Sequence, residues 1–251
     1  MKIGIVSDTH SNLYALESVL EHMNEIGVDI KVHLGDCIGY GPKPNETLAL
    51  TLEHFDYIVM GNHDLAVIDP KESEFFNPQA KKAVDWTRDK LSKDEIEVLS
   101  NLRYGHLLGD ILFVHGSPQA NNPHGYLLRI NDAAMAFSDP IADFEVAFVG
   151  HTHQPFIWLE TGHYQRVVVD QGRGTQEHRC NFDHIDKRII FNVGSVGQPR
   201  DNDPRACYVI YDTDKKEVVF YRVPYAVEKT VGLMQRFGFD QNEYERLIYG
   251  R

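Results

Sequence analysis

The sequence predicts an α/β fold, and three of its features support that prediction. Apolar runs of strand length alternate with segments of helical periodicity in the N-terminal half, which is typical of parallel strands joined by crossover helices. Strands dominate after residue 155, where hairpin-like neighbours indicate antiparallel pairing. Apolar residues make up 42% of the 251 residues, so the chain can fill a substantial core, and a disordered or fibrous protein is excluded.

The N-terminal half begins with a β-α-β-α-β pattern. Residues 13–23 carry apolar side chains at three- and four-residue spacing, and Asn12 is placed to cap the helix that this spacing predicts. Pro44 opens the second helix, because proline is tolerated in a first helical turn. The strands predicted here are Lys2–Val6, 30–34 and 57–60.

The remaining elements complete two sheets with helices outside. Residues 65–102 predict an insertion of two helices that caps the mouth of the sheet, and a short helix is expected near 131–137. Residues 227–247 are expected to be helical with a break near residue 237. With no repeat and no flexible linker in the sequence, residues 1–251 are predicted to form one domain. The other predicted strands are Ile111–Val114, Val146–Val149, 156–159, 166–170, 188–193, 206–211 and Glu217–Val223.

Charge and composition exclude several classes of function. Lys and Arg number 25 against 37 Asp and Glu, and the resulting net charge of −12 disfavours long nucleic acid as a partner. No apolar run approaches the length of a membrane span, so no membrane partner is expected. Three cysteines without paired spacing, and a chain that starts directly with a strand instead of a signal peptide, predict a cytoplasmic protein.

Polar residues collect where the predicted strands end. The carboxyl ends of parallel strands share one edge of an α/β sheet, so these side chains are expected to converge at a ligand site. Each one taken alone is more simply a turn former, a helix cap or a hydrogen-bonded loop residue. Together they crowd carboxylates and imidazoles in a way that is costly unless cations neutralise them. The converging residues are Asp8, His10, Asp36, Asn62, His115, His151 and His153.

The donor types in this set select the metal. Hard oxygen donors are mixed with imidazoles and no thiolate is included, which suits Mn²⁺, Fe or Zn²⁺ better than Ca²⁺ or a structural zinc site. Seven side chains exceed what one ion binds, whereas two divalent ions that share a carboxylate use them well. Such pairs lie about 3.5–4 Å apart and act on phosphoryl groups. We expect two ions, with Mn or Fe favoured.

In order along the chain, five short blocks resemble the signature of the calcineurin-like metallophosphoesterases. Residues 37–42 and 192–200 are similar to a prokaryotic subgroup of small members with phosphodiesterase or phosphatase activity, some of which hydrolyse diadenosine polyphosphates. The resemblance implies a four-layer α/β/β/α sandwich of two mixed sheets flanked by helices. The five blocks are Asp8-Thr9-His10, Gly35-Asp36, Gly61-Asn62-His63-Asp64, His115-Gly116 and Gly150-His151-Thr152-His153.

The same resemblance implies which residues hold each ion and how the reaction runs. Asp36 would bridge the ions; Asp8, His10 and His153 would complete the first site, and Asn62, His115 and His151 the second. A hydroxide bridging both ions would attack phosphorus in line. His63 is the candidate general acid for the leaving oxygen. Asp64 would fix the tautomer of His63, although a simple loop cap is the alternative for this residue.

Two further residues are candidates for binding substrate phosphate. Asn12 could donate a hydrogen bond to a phosphate oxygen, although helix capping explains it nearly as well. Arg200 could clamp phosphate, and its alternative is an ion pair with Asp201 or Asp203.

Other polar residues receive structural interpretations. Tyr40 is expected to be a core or turn residue and Cys37 inert packing. The group His178, Cys180 and His184 is interpreted as an irregular polar loop, because it lacks a fourth ligand and a standard spacing.

These observations favour a two-metal phosphoesterase acting on a small phosphorylated, nucleotide-type substrate. A serine/threonine-type protein phosphatase is the alternative enzyme, and a nuclease is disfavoured by the acidic balance. A non-catalytic interaction module is weaker still, because such a protein is expected to have lost ligands or His63, and this chain keeps all of them. The segment 171–183 and the insertion are expected to shape the pocket without revealing the substrate.

Overall fold

The structure is a computed structural model that describes residues 1–169 and 174–251. Two six-stranded mixed sheets are flanked by helices, which confirms the predicted α/β sandwich. The strands are β1 (Lys2–Val6), β2 (Ile30–His33), β3 (Tyr57–Ile58), β4 (Gly105–Leu108), β5 (Ile111–Val114), β6 (Val146–Val149), β7 (Pro155–Leu159), β8 (Tyr164–Arg166), β9 (Gln176–Asn181), β10 (Ile189–Val193), β11 (Ala206–Asp212) and β12 (Glu217–Val223).

The helices lie on the outer faces of the sheets and over one end of the sandwich. No helix in the described ranges is long and apolar enough to cross a membrane. The α-helices are α1 (Leu13–Ile26), α2 (Pro44–His54), α3 (Asn62–Ile68), α4 (Pro78–Arg88), α5 (Lys93–Ser100), α6 (Ile130–Ser138), α7 (Val227–Arg236) and α8 (Gln241–Tyr249), with a short 3₁₀ helix at Glu72–Phe75 between α3 and α4.

Strand order decides where the functional loops lie. In the first sheet the order is β3-β2-β1-β11-β12-β9, and β1, β2 and β3 run parallel as the β-α-β-α-β pattern predicts. In the second sheet the order is β4-β5-β6-β10-β7-β8, with β5, β6 and β10 parallel. The loops after β1, β2, β3, β5 and β6 all leave from carboxyl ends of parallel strands, where α/β sheets bind ligands.

The core between the sheets is apolar and aromatic. Side chains from β1 and β2 meet those of β5, β6 and β10, and Phe148 stacks between Phe113 and Phe191 with ring centroids 5.8 and 5.5 Å apart. Buried rings of this kind bury large apolar areas and account for much of the stability of the sandwich. This core gives the loops at its end a rigid base.

Three local predictions differ from the structure. Residues 166–170 were expected to form a strand, but β8 ends at Arg166. Val167 still donates to the Pro155 carbonyl of β7, and Val167 and Val169 are buried in the core. Residue 170 and residues 171–173 of the predicted loop lie outside the described residues. Residues 176–181 of the same segment form the strand β9, which pairs antiparallel with β12. The insertion was predicted to contain two helices, but α3 overlaps its start in addition to α4 and α5. The helix α3 begins at Asn62, within the block Gly61-Asn62-His63-Asp64.

Candidate metal centre

The seven predicted ligands converge at the carboxyl end of the parallel strands. Asp8, His10, Asp36, His115 and His153 are almost fully buried. Three overlapping groups of three side chains, each able to ligate one ion, have donor atoms within 4.8 Å of one another: Asp8, His10 and His153; His10, Asp36 and His63; and Asp36, His115 and His151. Five sequence-distant segments therefore contribute donor atoms to one small volume.

The first ligand group consists of Asp8, His10 and His153. His153 Nε2 lies 3.3 Å from Asp8 Oδ1 and 3.2 Å from His10 Nε2, and His10 Nε2 lies 3.8 Å from Asp8 Oδ1. Asp8 Oδ1 is buried and has no hydrogen-bond partner. A buried carboxylate oxygen without a partner is costly, and a cation between these three atoms would remove that cost.

The second ligand group consists of Asn62, His115 and His151. His115 Nε2 lies 3.1 Å from both Asn62 Oδ1 and His151 Nδ1. Asp36 stands between the groups, because its Oδ2 lies 3.5 Å from His10 Nε2 and 3.4 Å from His115 Nε2. One carboxylate oxygen is thus within reach of both groups, as a bridging ligand requires.

Backbone carbonyl groups fix three of the imidazole rings. The Nδ1 atoms of His10, His115 and His153 donate to the carbonyl oxygens of Ile38, Leu34 and Gln198 at 3.2, 2.9 and 2.6 Å. A ring that donates through Nδ1 presents a bare Nε2, which is the form that binds a metal. The Nε2 atoms of these three rings face the donor atoms described above.

Charge at the centre is balanced by protons when no cation is bound. Burial raises the pKa of Asp8 to about 7 and lowers the pKa of His10 and His153 well below the usual value. Burial alone would raise the pKa of Asp36, but His115, His63 and His10 together outweigh burial and hold that pKa well below normal. Burial alone would lower the pKa of His115, but Asp36, Asp8 and the hydrogen bond to Leu34 together raise it to about 9. His115 must therefore release a proton to become a ligand.

Five of the ligands have left-handed backbone conformations, which non-glycine residues rarely adopt. The values of φ are 53° at Asp8, 48° at His10, 54° at Asp36, 64° at His151 and 58° at His153. Strained backbone of this kind persists where the surrounding structure enforces it, and it clusters at functional sites.

Two glycines allow the loops to approach each other closely. A side chain at Gly61 would overlap the backbone nitrogen of Asp36, and one at Gly150 would overlap the hydroxyl of Ser7. Gly35, before Asp36, has a left-handed backbone with φ of 97°, so the turn itself favours glycine there. At Gly61 and Gly150 the requirement is instead space between neighbouring loops.

His63 lies beside both ligand groups, whereas Asp64 points away from it. The His63 ring is 4.8 Å from that of His10, and its Nδ1 has no hydrogen-bond partner. Asp64 accepts hydrogen bonds from the backbone N–H groups of Asp36 and Gly61 at 2.8 and 3.1 Å, and longer ones from Cys37 and Ile38. The prediction that Asp64 fixes the tautomer of His63 is wrong here: Asp64 holds the Asp36 loop and caps α3.

Asn12 makes internal hydrogen bonds with both ends of its amide group. Its nitrogen donates to the Gly197 carbonyl and the Tyr225 hydroxyl at 2.8 and 3.1 Å, and its Oδ1 accepts from Thr230 at 2.8 Å. Asn12 is the N-cap residue of α1, as predicted, and its carbonyl accepts from the Leu16 N–H, but its side chain makes no cap hydrogen bond. The amide is buried and occupied, which leaves it no free donor for phosphate; instead it joins α1 to α7.

Arg200 points toward the candidate metal centre. Its guanidinium lies 5.7 Å from the centre of the Tyr40 ring and donates to Gln198 Oε1 at 2.7 Å. The predicted alternative, an ion pair with Asp201 or Asp203, is wrong because those carboxylates pair with Arg222 and Arg205. Arg200 also contributes to lowering the pKa of His10 and His63, so its positive charge acts on the centre.

The other polar residues that drew attention in the sequence lie in different settings. Cys37 is fully buried beside the Asp36 loop, and burial raises its pKa well above normal, in agreement with inert packing. His178 and Cys180 are on the edge strand β9 and not in an irregular loop. Tyr40 is half-buried with φ of 51°, and its ring is 4.4 Å from that of His63, so it lines the site.

Sequence reasoning missed several residues around the centre. Phe75 and Phe76 lie in the insertion, and Tyr126 lies in the loop after β5; all three line a cavity of about 380 Å³ next to Asn62 and His151. Arg246 on α8 donates to Gln198 Oε1, the acceptor that Arg200 also uses. In the sequence, only the residue type of these four positions could have suggested a role near the centre, because no motif connects them to the blocks that contain the predicted ligands.

A two-sheet α/β sandwich with buried histidines, carboxylates and an amide at its strand ends defines a metal-dependent phosphoric ester hydrolase. The chain belongs to the family described as the calcineurin-like phosphoesterase superfamily domain, which matches residues 1–216. The helices α7 and α8 lie outside the matched range.

The chain is similar to proteins from three organisms. "Uncharacterized protein MJ0912" of Methanocaldococcus jannaschii is 30% identical over 258 residues, covering 99% of this chain and 98% of the relative. The crystal structure of a metallophosphoesterase from Sphaerobacter thermophilus is similar with a TM-score of 0.85 and 36% identity, over 100% of this chain and 99% of that one. Hypothetical protein PH1004 from Pyrococcus horikoshii OT3 shares the fold, with a TM-score of 0.76 and 19% identity, over 100% and 98%.

Proposed function

We propose that this chain is a two-metal phosphoesterase that hydrolyses phosphodiester, phosphoanhydride or phosphomonoester bonds of a small, nucleotide-type substrate. The observation that carries the proposal is the position of Asp36, whose Oδ2 is about equally far from His10 Nε2 and His115 Nε2, at 3.5 and 3.4 Å. A single ion would need only one of the two ligand groups. A shared carboxylate between two groups of nitrogen and oxygen donors suits a pair of ions.

The donor set fits manganese or iron. Asp8, His10 and His153 with Asp36 would hold one ion, and Asn62, His115 and His151 with Asp36 the other. Imidazole with carboxylate and amide oxygens suits Mn²⁺, Fe or Zn²⁺, and the two groups include no thiolate. When bound, the ions would supply a hydroxide nucleophile near neutral pH and neutralise charge on the phosphoryl oxygens.

His63 is the side chain placed to give a proton to the leaving oxygen. Burial lowers its pKa to about 4, so it is neutral near pH 7 before substrate binds. A phosphate anion bound beside the ring would favour the protonated form, because opposite charges within a few ångströms stabilise each other. The ring lines the cavity next to Asn62 and His151, so a leaving group in that cavity would lie within its reach.

Arg200 supplies a positive charge beside the candidate metal centre. With a net charge of −12, the protein as a whole repels a phosphorylated substrate. No carboxylate in the described ranges pairs with Arg200, and its guanidinium sits between the Gln198 side chain and the Tyr40 ring. We propose that Arg200 binds a phosphoryl oxygen of the substrate in this position.

The domain organisation, location and partners of the chain are also part of the proposal. We propose that residues 1–251 act as one domain on a small molecule in the cytoplasm, with neither long nucleic acid nor a membrane as partner. The negative charge disfavours a polyanion, which is the physical support for the preference for a small substrate.

Turnover by metal-defined protein tests the proposal. Chelator-stripped protein is reloaded with Mn²⁺, Fe²⁺ or Zn²⁺ and assayed on bis(4-nitrophenyl) phosphate, 4-nitrophenyl phosphate, dinucleoside polyphosphates and a phosphopeptide, with bound metal measured in parallel. The proposal predicts hydrolysis of small esters or anhydrides that depends on metal and is absent in Asp36→Asn. Protein that binds two ions and hydrolyses none of these contradicts it. Turnover of the phosphopeptide alone would instead indicate a protein phosphatase.

A further inference from the structure

A cavity of about 380 Å³ opens beside the second ligand group, and the candidate centre occupies only one of its walls. Asn62, His63 and His151 form that wall. The volume lies in the range of about 300–1,000 Å³ that small-molecule pockets occupy. Whatever fills the cavity is therefore next to both the phosphoryl group and the candidate proton donor.

Two exposed aromatic rings line this cavity. Phe75 ends the 3₁₀ helix of the insertion with 86% of its surface exposed, and Tyr126 is 52% exposed. The Tyr126 ring stacks on His151 with centroids 3.8 Å apart and planes 27° apart. Apolar rings left in water beside a cavity are typical of ligand-binding surfaces, and flat rings favour flat ligands.

The same rim has a carboxylate and an amide. Glu72 and Asn77 lie on either side of Phe75 in sequence and line the cavity with it. Glu72 forms no ion pair with any other described residue, so its carboxylate is free to accept hydrogen bonds. It would also repel a further phosphate group, so this side of the site suits a ligand with donor groups and no negative charge.

We propose that the cavity is a subsite for the flat, uncharged heterocyclic base of the leaving group, with Phe75 and Tyr126 stacking on the base and Glu72 accepting from its amino groups. The inference rests on the proposed function, because the leaving-group side is defined by His63. It assigns the substrate as an ester whose leaving group is a nucleoside. Adenine, guanine and cytosine combine the flatness, neutrality and amino donors that these residues select.

Binding of a fluorescent nucleoside tests the subsite without requiring turnover. The fluorescence of 2-aminopurine riboside is quenched when its ring stacks on an aromatic side chain, so a titration reports the dissociation constant. Each of Phe75→Ala and Tyr126→Ala is expected to raise that constant about 5-fold or more, as loss of base–aromatic stacking does. Tyr126→Phe keeps the ring and is expected to retain binding.

Tyr249→Ala is the matched control, because Tyr249 is 54% exposed and does not line the cavity. It is expected to leave the dissociation constant unchanged. Phe75 and Tyr126 are exposed, so their alanine variants are expected to fold, and circular dichroism checks this. Absence of quenching in the wild-type protein, or equal effects of all three alanine variants, overturns the proposal.

The role of Glu72 has its own test. Adenosine and 6-chloropurine riboside differ at the amino donor, and each is used to displace the fluorescent probe. Adenosine is expected to compete about 10-fold better, since a hydrogen bond to a charged group is lost in the chloro compound. Glu72→Gln is expected to reduce that preference. Equal competition in the wild-type protein overturns the assignment to a base with amino donors.

Failure of this inference and failure of the proposed function give different results. If metal-loaded protein hydrolyses aryl and alkyl phosphates but does not quench the probe, the phosphoesterase proposal stands and the base subsite is wrong. If the probe binds through Phe75 and Tyr126 and no phosphate ester is hydrolysed, the subsite stands and the proposed reaction is wrong.

Discussion

The two ligand groups differ in how firmly the protein holds them. In the first group, His10 and His153 each donate to a backbone carbonyl and are buried with Asp8. In the second group His115 is buried and held by a backbone carbonyl in the same way, but His151 Nε2 has no hydrogen-bond partner and Asn62 is partly exposed on the wall of the cavity. Outer hydrogen bonds orient ligands and strengthen metal binding. For the proposed pair of ions, this difference predicts that the first group holds its ion more firmly and that the second leaves room for substrate.

Removing the shared carboxylate is expected to have the largest effect, because it damages both groups at once. Asp36→Asn keeps the size of the side chain but removes the charge that both ligand groups approach. Turnover of bis(4-nitrophenyl) phosphate is expected to fall at least about 1,000-fold, and bound metal to fall below one ion per chain. Retention of two ions and of most activity by Asp36→Asn would show that the groups are not linked through this residue.

Replacing His63 leaves the predicted ligands of both groups in place, so it separates metal binding from proton donation to the leaving group. His63→Gln is expected to slow hydrolysis of a nucleoside or alkyl ester about 100-fold, because those leaving oxygens need a proton. The loss on a 4-nitrophenyl ester is expected to be less than about 5-fold, since 4-nitrophenolate leaves without one. The measurement is kcat on both substrates with metal content as control. Equal losses on the two would exclude His63 as the acid.

The pH dependence of metal binding is expected to distinguish the groups. Asp8 in the first group retains a proton up to about pH 7, and His115 in the second up to about pH 9. A bound ion displaces these protons, so the affinity for the metal ion rises with pH by up to about 10-fold per pH unit for each proton displaced. The rise stops when the ligand is already deprotonated.

Calorimetric titration with Mn²⁺ between pH 6 and 9 tests this expectation. The tighter binding event should level off near pH 7, whereas the weaker one should gain up to about 100-fold from pH 7 to 9. Two binding events with the same pH profile would contradict the expectation that Asp8 and His115 lose their protons at different pH.

Loss of Arg200 is expected to have the smallest effect, because it acts on substrate and leaves both ions bound. Arg200→Gln should raise KM about 10-fold with little change in metal content, in line with loss of a charge-assisted hydrogen bond. Arg236→Gln, a change at an exposed arginine in the last turn of α7, is the matched control. An unchanged KM in Arg200→Gln would remove this residue from the proposed phosphate contact.

The pattern of apolar residues along the sequence predicted the strands that are buried on both faces. Buried strands such as Ile111–Val114 and Val146–Val149 consist entirely of apolar residues and were placed at their actual bounds. β9 was missed because its sequence is polar and its side chains alternate between half-buried and exposed. Only pairing with β12, from a distant part of the chain, makes that segment a strand.

The convergence of the seven predicted ligands was predictable for the same reason, since each of them follows a strand that the pattern defines. The environment of each side chain was not. Asp64 bonds to backbone amides of another loop, and Asn12 bonds to Tyr225 and Thr230, both more than 200 positions away. Tertiary contacts at such separations leave no local signal, which is also why Tyr126 escaped notice.

Anomalous diffraction from crystals of the manganese-loaded protein would locate the bound ions themselves. We expect two peaks about 3.5–4 Å apart on either side of Asp36 Oδ2, one against His10 and His153 and the other against His115 and His151. Full occupancy of the first with partial occupancy of the second would agree with the difference between the groups. One peak alone at saturating manganese, or none within reach of Asp36, would contradict the account.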